Sequence, residues 1–439
     1  MRDDWQGTTL GAATRLTKGI TYASSDYAPE GEGHPFLTIK CVDKGGGFSK
    51  EGLKYYRGIY EQDQVVRRGD LVIALTDLTR AGDIIGSPVR VPDFGGMTVL
   101  PSMDLAILRR IGEDVDLHFL FYRLMIHDAR RYMLAHSAGT TVLHLESRSI
   151  PKFRFRAPRV EVQARIADVL ATLDEALEQT EALIAKTQQI KAGLMHDLFT
   201  RGVTPDGHLR PVGQGTPTRF GLLPQGWGVG SLLDIADNLR QPILTGPFGV
   251  DLGNDDFVAE GVPVLRIGNV QSGFLDLADL IFITPRKARE LYRYIIKPGD
   301  LLFARQGATT GRNALATDLV SGCIINYHII RVALDHNKCA PLFVEAAFNG
   351  EIVKRQVERD KGRGTREGIN SAQLKALKVP LAPPPEQRAM AAILRDQNAQ
   401  AVTLLDQRSK LLELKAGLMH DLLTGRVPVA DIHKAAARV

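Results

Sequence analysis

Apolar side chains recur at alternating steps of three and four residues in two long stretches of this chain. The average period is therefore 3.5 residues, which lets helices pack side by side in a left-handed coiled coil. The pattern predicts two long helices, over residues 159–200 and 384–425, that pair or dock through an apolar seam. The seam positions are Ile166, Leu170, Leu173, Leu177, Ile184 and Leu194 in the first stretch, and Met390, Leu394, Leu404, Leu411, Leu418 and Leu422 in the second.

A second apolar row accompanies each seam. It includes Leu183 and Ile190 in the first stretch and Leu405 and Leu412 in the second. Two apolar rows are more than one helical partner covers. We therefore expect each helix to face a third element as well as its partner.

Prolines and glycines delimit both stretches. Pro158 precedes the first and residues 383–385, all proline, precede the second, while Gly202 and Gly425 follow the two ends. Proline is tolerated only in the opening turn of a helix, and glycine commonly ends one. Each helix is then about 39 residues, or roughly 58 Å at about 1.5 Å per residue.

The chain before each helix has a mixed, mostly β pattern. Short apolar runs such as 71–75, 301–304 and 324–332 have the length of strands and are separated by glycine and proline. A helical pattern covers 343–357. We predict an α+β fold, divided into a first domain at 1–158, a helix at 159–200, a linker at 201–226, a second domain at 227–383, a helix at 384–425 and a tail at 426–439.

An internal repeat relates the two halves. The sequence KAGLMHDL occurs at 191–198 and again at 415–422, an offset of 224 residues. Upstream, the run at 68–74 resembles the run at 298–304, and the two tryptophans, Trp5 and Trp227, begin similar segments. A period of this length indicates tandem duplication of a domain, in contrast to a solenoid of short repeats.

Composition narrows the possible functions. The 439 residues carry a net charge of +5, which permits binding to a polyanion without proving it. Only three cysteines occur, none of them in a CxxC pair, so a disulfide scaffold or a cysteine-built metal site is not expected. The N-terminal residues do not resemble a signal peptide, and no apolar run reaches the length of a membrane helix, so we expect a cytoplasmic protein.

Motifs of catalysis are absent from the sequence. There is no GxxxxGK[ST] phosphate loop, no HExxH and no GxSxG. His196 and His420 each precede an aspartate near a helix end, but successive helical residues point in different directions. We interpret both histidines as structural, because a helix C-terminus favours histidine.

The loops of the two domains carry groups that suit nucleic acid. Glycine gives a flexible backbone, and arginine, amide and hydroxyl side chains contact phosphates and base edges. The predicted DNA-binding residues are Thr38, Lys40, Thr76, Arg80, Thr140 and Thr141 in the first half, and Arg266, Asn269, Arg305, Gln306, Thr309, Thr310, Arg312, Asn313, Lys361, Arg363, Thr365 and Arg366 in the second.

These features resemble the specificity (S) subunit of type I restriction–modification systems over nearly the whole chain. The similarity rests on the two-half layout, GDLLFARQGATTGR at 299–312, GTREGINSAQLKALKVPLAPPPEQ at 364–387 and the two KAGLMHDL helix ends. The first half departs from it, because residues 159–163 replace the proline-rich entry that ends in Glu386-Gln387.

The resemblance implies a mechanism. Each domain would read one half of a split, asymmetric site in double-stranded DNA, and the helices, packed antiparallel, would set the spacer length. Two methyltransferase (M) subunits would dock on the helices, and restriction (R) subunits would join the full complex. The chain would be no enzyme and bind no cofactor or metal itself, because S-adenosylmethionine, ATP and Mg would be bound by partner subunits.

Three other classes stay open at the level of sequence. One is the specificity subunit of a type IIB-like system, which differs in its partners. Another is a coiled-coil scaffold whose β domains bind protein instead of DNA. The last is a methyltransferase fused to its own recognition domain, against which the missing motifs argue.

Overall fold

The computed structural model describes residues 5–79, 81–213, 215–362 and 367–429. The chain forms two compact units. One comprises the chain up to Glu181 together with the chain from Asp406 onward, and the other comprises Ala182–Leu405. Each unit therefore contains one globular domain and a part of both long helices, so the units cut across the consecutive segments predicted from the sequence.

The first globular domain is built from short strands and three helices. Its strands are β1 Gln6–Thr9, β2 Thr14–Lys18, β3 Tyr27–Ala28, β4 His34–Leu37, β5 Lys54–Tyr56, β6 Leu71–Ala74, β7 Thr76–Asp77, β8 Pro88–Arg90, β9 Leu100–Pro101, β10 Leu105–Arg110, β11 Ser137–Ala138, β12 Leu143–Leu145 and β13 Arg154–Ala157. Its helices are α1 Leu10–Ala13, α2 Leu117–Met125 and α3 His127–Ala135, and the first long helix, α4, spans Val160–Arg201.

The second globular domain has the same kinds of element. Its strands, after a hairpin of β14 Gly215–Thr218 and β15 Gly221–Pro224, are β16 Gly228–Ser231, β17 Ile243–Thr245, β18 Phe257–Val258, β19 Val262–Leu265, β20 Ile281–Ile283, β21 Leu301–Ala304, β22 Asn313–Leu315, β23 Ile324–Ile325, β24 Ile329–Val332 and β25 Lys378–Leu381. Its helices are α5 Pro285–Glu290, α6 Pro341–Phe348, α7 Glu351–Asp360 and α8 Ser371–Ala376, and the second long helix, α9, spans Pro384–Leu423.

Sheet topology confirms the internal duplication. A four-stranded sheet has the order β2-β10-β6-β8 in the first domain and β17-β24-β21-β22 in the second. A second four-stranded sheet has the order β3-β5-β4-β9 or β18-β20-β19-β23, and its last pair is parallel in both domains. The first and last strands of each domain pair as β1 with β13 and β16 with β25. The α+β class predicted from the sequence is confirmed.

The long helices pack against each other in antiparallel fashion within each unit. In the first unit, Arg408 Nε on α9 donates to Glu181 Oε1 on α4 at 2.8 Å. In the second unit, Lys191 Nζ on α4 donates to Asn398 Oδ1 on α9 at 2.7 Å. No helix within the described part of the chain is long and apolar enough to cross a membrane.

The predicted seam forms the inner face of both helices. Its buried members, apart from Leu177 near the middle of α4, lie near the helix ends, where the globular domains also contact them, and its other members are half-buried. The buried residues are Ile166, Leu170, Leu177, Met390, Leu394 and Leu422, and the half-buried ones are Leu173, Ile184, Leu194, Leu404, Leu411 and Leu418.

Each globular domain packs on the beginning of one helix and the end of the other. In the first unit, Trp5 shares a core with Ile166 of α4 and Leu422 of α9. In the second, Trp227 shares a core with Leu198 of α4 and Met390 of α9. This shared packing is the physical reason that each unit combines segments from distant parts of the chain.

Glycine follows each helix, as predicted. Gly202 and Gly425 have φ values of 72° and 70°, in the left-handed region that favours glycine. A Cβ atom at Gly425 would lie 2.9 Å from the Trp5 ring, and one at Gly202 would lie 2.5 Å from Glu386 Oε1. Glycine at these positions therefore allows each helix to end, and it allows Trp5 or Glu386 to pack closely against the backbone.

The segment at 201–226 has more structure than its predicted role as a linker suggests. Strands β14 and β15 form an antiparallel hairpin within it. Arg210 donates to both carboxylate oxygens of Glu386, at 3.0 and 2.9 Å, and Glu386 also accepts from the Val203 amide at 2.8 Å. The carboxylate is almost fully buried. Glu386 thus fastens the start of α9 to the chain that leaves α4.

Candidate nucleic-acid interface

The loop that follows β21 lies against residues 367–369 of the second domain. The Gly307 amide donates to the Glu367 carbonyl at 2.9 Å, and the Ile369 amide donates to the Arg305 carbonyl at 2.8 Å. An isolated β-bridge joins Gln306 to Gly368. The loop that follows β21 is therefore held against the chain that follows α7.

Polar and aromatic side chains meet at this end of β21. Gln306 Oε1 accepts from the Tyr327 hydroxyl at 3.3 Å and lies 3.0 Å from His328 Nδ1. The Arg305 guanidinium lies over the Tyr327 ring, 5.7 Å from its centroid. Phe248, 56% exposed, packs against the same ring with centroids 5.4 Å apart. This cluster combines a cation, an amide and ring surfaces, the groups that contact phosphates and bases.

The environment of His328 favours the neutral form of its imidazole. Burial, assisted by the nearby Arg305 guanidinium, lowers the pKa of the imidazole below its ordinary value. A neutral imidazole has one nitrogen that donates and one that accepts. Because Gln306 Oε1 can only accept, His328 Nδ1 is the donor and Nε2 is left as an acceptor.

Several predicted residues of the second domain have internal partners. Asn313 is fully buried and exchanges hydrogen bonds with Asn349, at 3.1 and 3.3 Å. Asn269, also buried, accepts from the Arg266 amide, and Arg312 Nη1 donates to Gln271 Oε1 at 2.8 Å. These contacts shape the loops, and the two buried asparagines present no group to a ligand in this structure.

The remaining predicted residues of the second domain differ in exposure. Thr309 and Thr310 donate to carbonyl oxygens within their own turn, at 3.1 and 2.8 Å. Arg266 pairs with Asp279, and Lys361 pairs with Glu358 at 2.8 Å. Arg363, Thr365 and Arg366 lie outside the described residues.

The corresponding loops of the first domain also lie together. Strand β7 pairs with β12, which places Thr76 opposite His144, and β12 pairs with β11 at Ser137–Ala138. Thr76 Oγ1 donates to Asp104 Oδ1 at 3.0 Å. The sequence comparison that equated the loop after residue 75 with the loop after residue 304 is therefore matched by the fold.

Asp77 fixes the turn that follows Thr76. Its carboxylate accepts from the amides of Thr79, Ile84 and Ile85 at 2.6, 2.5 and 3.0 Å. Burial raises the pKa of this carboxyl, but the backbone hydrogen bonds outweigh it and leave the pKa below its ordinary value. The loop is therefore organised around an ionised, buried carboxylate.

The other predicted residues of the first domain are divided between interior and surface. Thr38 is buried and donates to the Gly52 carbonyl at 2.8 Å, which gives it a structural role. Lys40, Thr140 and Thr141 are exposed. Arg80 lies outside the described residues.

Sequence reasoning missed Asp104, Tyr327 and His328. Asp104 and His328 come directly before strands β10 and β24, which pair with the strands preceding the predicted loops, and Tyr327 lies one residue before His328. Only strand pairing brings these residues beside Thr76 or Gln306. The detectable signal was a polar residue at the start of an apolar strand, but its register cannot be read from one sequence.

A second exposed surface follows the helices. The outer apolar row remains uncovered in both units, with Leu183, Ile190 and Leu405 each about half exposed at 51%, 50% and 53%. Leu412 is 42% exposed. Near the helix ends the globular domains supply the expected third element, but these four residues remain exposed, and apolar positions of this kind commonly mark an interaction site. No cluster of His, Cys, Asp or Glu among the described residues has the arrangement of a metal site.

Comparison with known proteins gives one consistent result. Residues 224–414 match the family model described as the type I restriction modification DNA specificity domain. The chain is 22% identical to the type I restriction enzyme MjaVIII specificity subunit of Methanocaldococcus jannaschii, over 98% of this chain and 95% of that protein. It is also 22% identical to the EcoBI specificity subunit of Escherichia coli, over 96% of this chain and 85% of that protein.

Solved structures share the fold. The crystal structure of the type I restriction–modification S subunit from M. genitalium superposes with a TM-score of 0.62 at 14% identity. It covers 96% of this chain and 97% of that chain. The arrangement of two mixed domains and two long helices is thus common to both proteins.

Proposed function

We propose that this chain, whose residues 224–414 match the type I restriction modification DNA specificity domain, reads one half of a split, asymmetric DNA site with each of its two globular domains. One observation carries this proposal: both domains bring polar loops together at the end of equivalent strands, β6 and β21, but with different side chains. Equivalent placement suits two readers of one duplex, and different side chains suit two different half-sites.

The long helices act as a spacer and a docking surface in this proposal. The length of the helices would set the number of unread base pairs between the half-sites. The uncovered row at Leu183, Ile190 and Leu405 offers an apolar face to methyltransferase subunits. Restriction subunits would join the complete complex.

In this proposal, the partner subunits carry out the catalytic steps. We propose that this chain is not catalytic and that the partner subunits bind S-adenosylmethionine, ATP and Mg. A type IIB-like system would use the same recognition chain with different partners. The identity of the subunits that copurify with it distinguishes these two cases.

The proposal is tested by co-expressing the chain with candidate type I methyltransferase (M) subunits and sequencing host DNA for N6-methyladenine. We expect a stable complex and one split motif that is methylated on both strands. A complex that methylates a contiguous motif would contradict the two-domain assignment. Absence of any complex would favour the scaffold alternative, and a matched strain without this chain supplies the background.

A further inference from the structure

Backbone hydrogen bonds identify equivalent positions at the ends of the central strands. Ala74 lies opposite Leu105 in the first domain, and Ala304 lies opposite Ile329 in the second. One residue further, the Leu75 amide donates to the Asp104 carbonyl at 2.7 Å, and the Arg305 amide donates to the His328 carbonyl at 3.0 Å. Thr76 therefore corresponds to Gln306, and Asp104 corresponds to His328.

A side-chain hydrogen bond occurs at these positions in both domains. Thr76 Oγ1 and Asp104 Oδ1 are 3.0 Å apart, as are Gln306 Oε1 and His328 Nδ1. We call each of these two couples a strand-end pair. Both members differ between the domains, yet the bond between them is present in each, and Asp104, Gln306 and His328 are only half-buried.

The pair in the first domain presents an acceptor. The threonine hydroxyl donates to one oxygen of Asp104, and an ionised carboxylate has no donor of its own. Among the described residues, no group donates to the second oxygen, Oδ2. Any partner that approaches this oxygen must bring an N–H or O–H group.

In the second domain, Gln306 presents donors, while His328 Nε2 is an acceptor. Gln306 Oε1 accepts from both Tyr327 and His328, which uses the two lone pairs of the amide oxygen. The Nε2 group, with two N–H donors, has no partner among the residues that the structure describes. The surroundings differ as well, because Arg305 occupies the position of the buried Leu75.

We infer, on the basis of the proposed function, that Asp104 and Gln306 of the two strand-end pairs are specificity determinants that select bases of opposite hydrogen-bonding character. Asp104 accepts from an exocyclic amino group, N4 of cytosine or N6 of adenine, in the half-site of the first domain. Gln306 donates to a base acceptor, such as purine N7 or O6 of guanine, in the other half-site. These groups distinguish base pairs in the major groove.

The test uses the full chain in complex with its methyltransferase subunits and a pool of duplexes randomised across both half-sites. Asp104→Asn replaces an acceptor oxygen with a donor, and Gln306→Glu replaces the donor with an acceptor, at almost constant volume. We expect each variant to change the preferred base at one position of one half-site, with about tenfold loss of discrimination against the former competitors. The other half-site keeps its preference.

Matched controls carry the same chemical changes away from the pairs. Asp93→Asn in the first domain and Gln225→Glu just before the second alter exposed residues and leave both half-sites unchanged. Asp104→Ala and Gln306→Met serve if a first variant fails to fold. These two remove the hydrogen-bonding group without reversing it, so the preference is lost and not exchanged.

The outcomes separate the inference from the proposed function. Unchanged base preferences in folded variants, or a weakening that is equal for all sequences, would overturn the inference while the split site of the parent complex remains. A parent complex that selects no split site would overturn the proposed function itself. A change in the same half-site for Asp104→Asn and Gln306→Glu would contradict the assignment of one pair to each domain.

Discussion

A glutamine occupies the same place at the start of both long helices. Gln163 accepts from the Asp116 amide at 2.9 Å and donates to the Pro158 carbonyl at 2.7 Å. Gln387 accepts from the Ala340 amide at 3.0 Å and donates to the Ala382 carbonyl at 2.8 Å. The first half was expected to depart from the family at this point, but the glutamine is retained. A buried amide that satisfies backbone groups on both sides fixes how each helix leaves its domain.

At the residue scale, we predict that the buried carboxyl of Glu345 makes the stability of the folded protein depend on pH. Burial raises the pKa of this carboxyl to about 7, although the Leu315 amide and Lys191 oppose the rise. The folded state then binds more protons than the unfolded state between about pH 4.5 and pH 7, so stability falls as the pH rises through this window. We expect Glu345→Gln to remove up to about 3 kcal/mol of this decline.

Urea unfolding at pH 5 and pH 8 measures the effect. Glu260→Gln, at an exposed position, is the control and keeps the pH dependence of the parent. An equal decline in the parent and in Glu345→Gln would show that the carboxyl does not control stability in this range.

At the scale of the element, the packed faces of the two long helices include polar residues. Thr187 and Lys191 occupy seam positions of α4 in the second unit, Thr187 is buried, and Lys191 donates to Asn398 of α9. Polar residues in a seam reduce stability but specify register. The period of the sequence predicted the seam, whereas this pairing of Lys191 with Asn398 required the structure.

The register allows a matched deletion in the two helices. Removing 184–190 and 399–405 together deletes one heptad from each side and preserves the phase of both seams. The pair becomes about 10 Å shorter at about 1.5 Å per residue, equivalent to about 3 base pairs of DNA. We expect methylome sequencing to show a shorter spacer between unchanged half-sites.

A deletion of 184–190 alone is the control, because it breaks the register and should lower the yield of folded complex. Altered half-sites in the matched deletion would contradict the ruler role of the helices. An unchanged spacer would do the same.

At the scale of the whole molecule, each domain has its own core and contacts its own parts of the helices. The first domain buries Trp5 against Ile166 and Leu422, and the second buries Trp227 against Leu198 and Met390. Separate cores allow the two domains to diverge independently after duplication. This explains how the strand-end pairs came to differ while the topology stayed the same.

Exchange of the first domain is therefore expected to change one half-site only. Residues 1–158 would be replaced by the matching domain of another family member, with α4 and α9 unaltered. Methylation sequencing should then show a new first half-site, the original second half-site and the original spacer. A change in the second half-site would refute the independence of the domains, and re-insertion of the native domain is the control.

The sequence by itself determined the duplication, the α+β class, the two helices and the loops that follow residues 75 and 304. These features follow from local sequence patterns and from repeated sequence segments, both of which can be read from a single chain. Tertiary structure decided which loop residues are available, because burial of Asn313, Asn269 and Thr38 depends on neighbours distant in sequence. It also placed Asp104 beside Thr76 and His328 beside Gln306, since strand register is set by packing of the whole sheet.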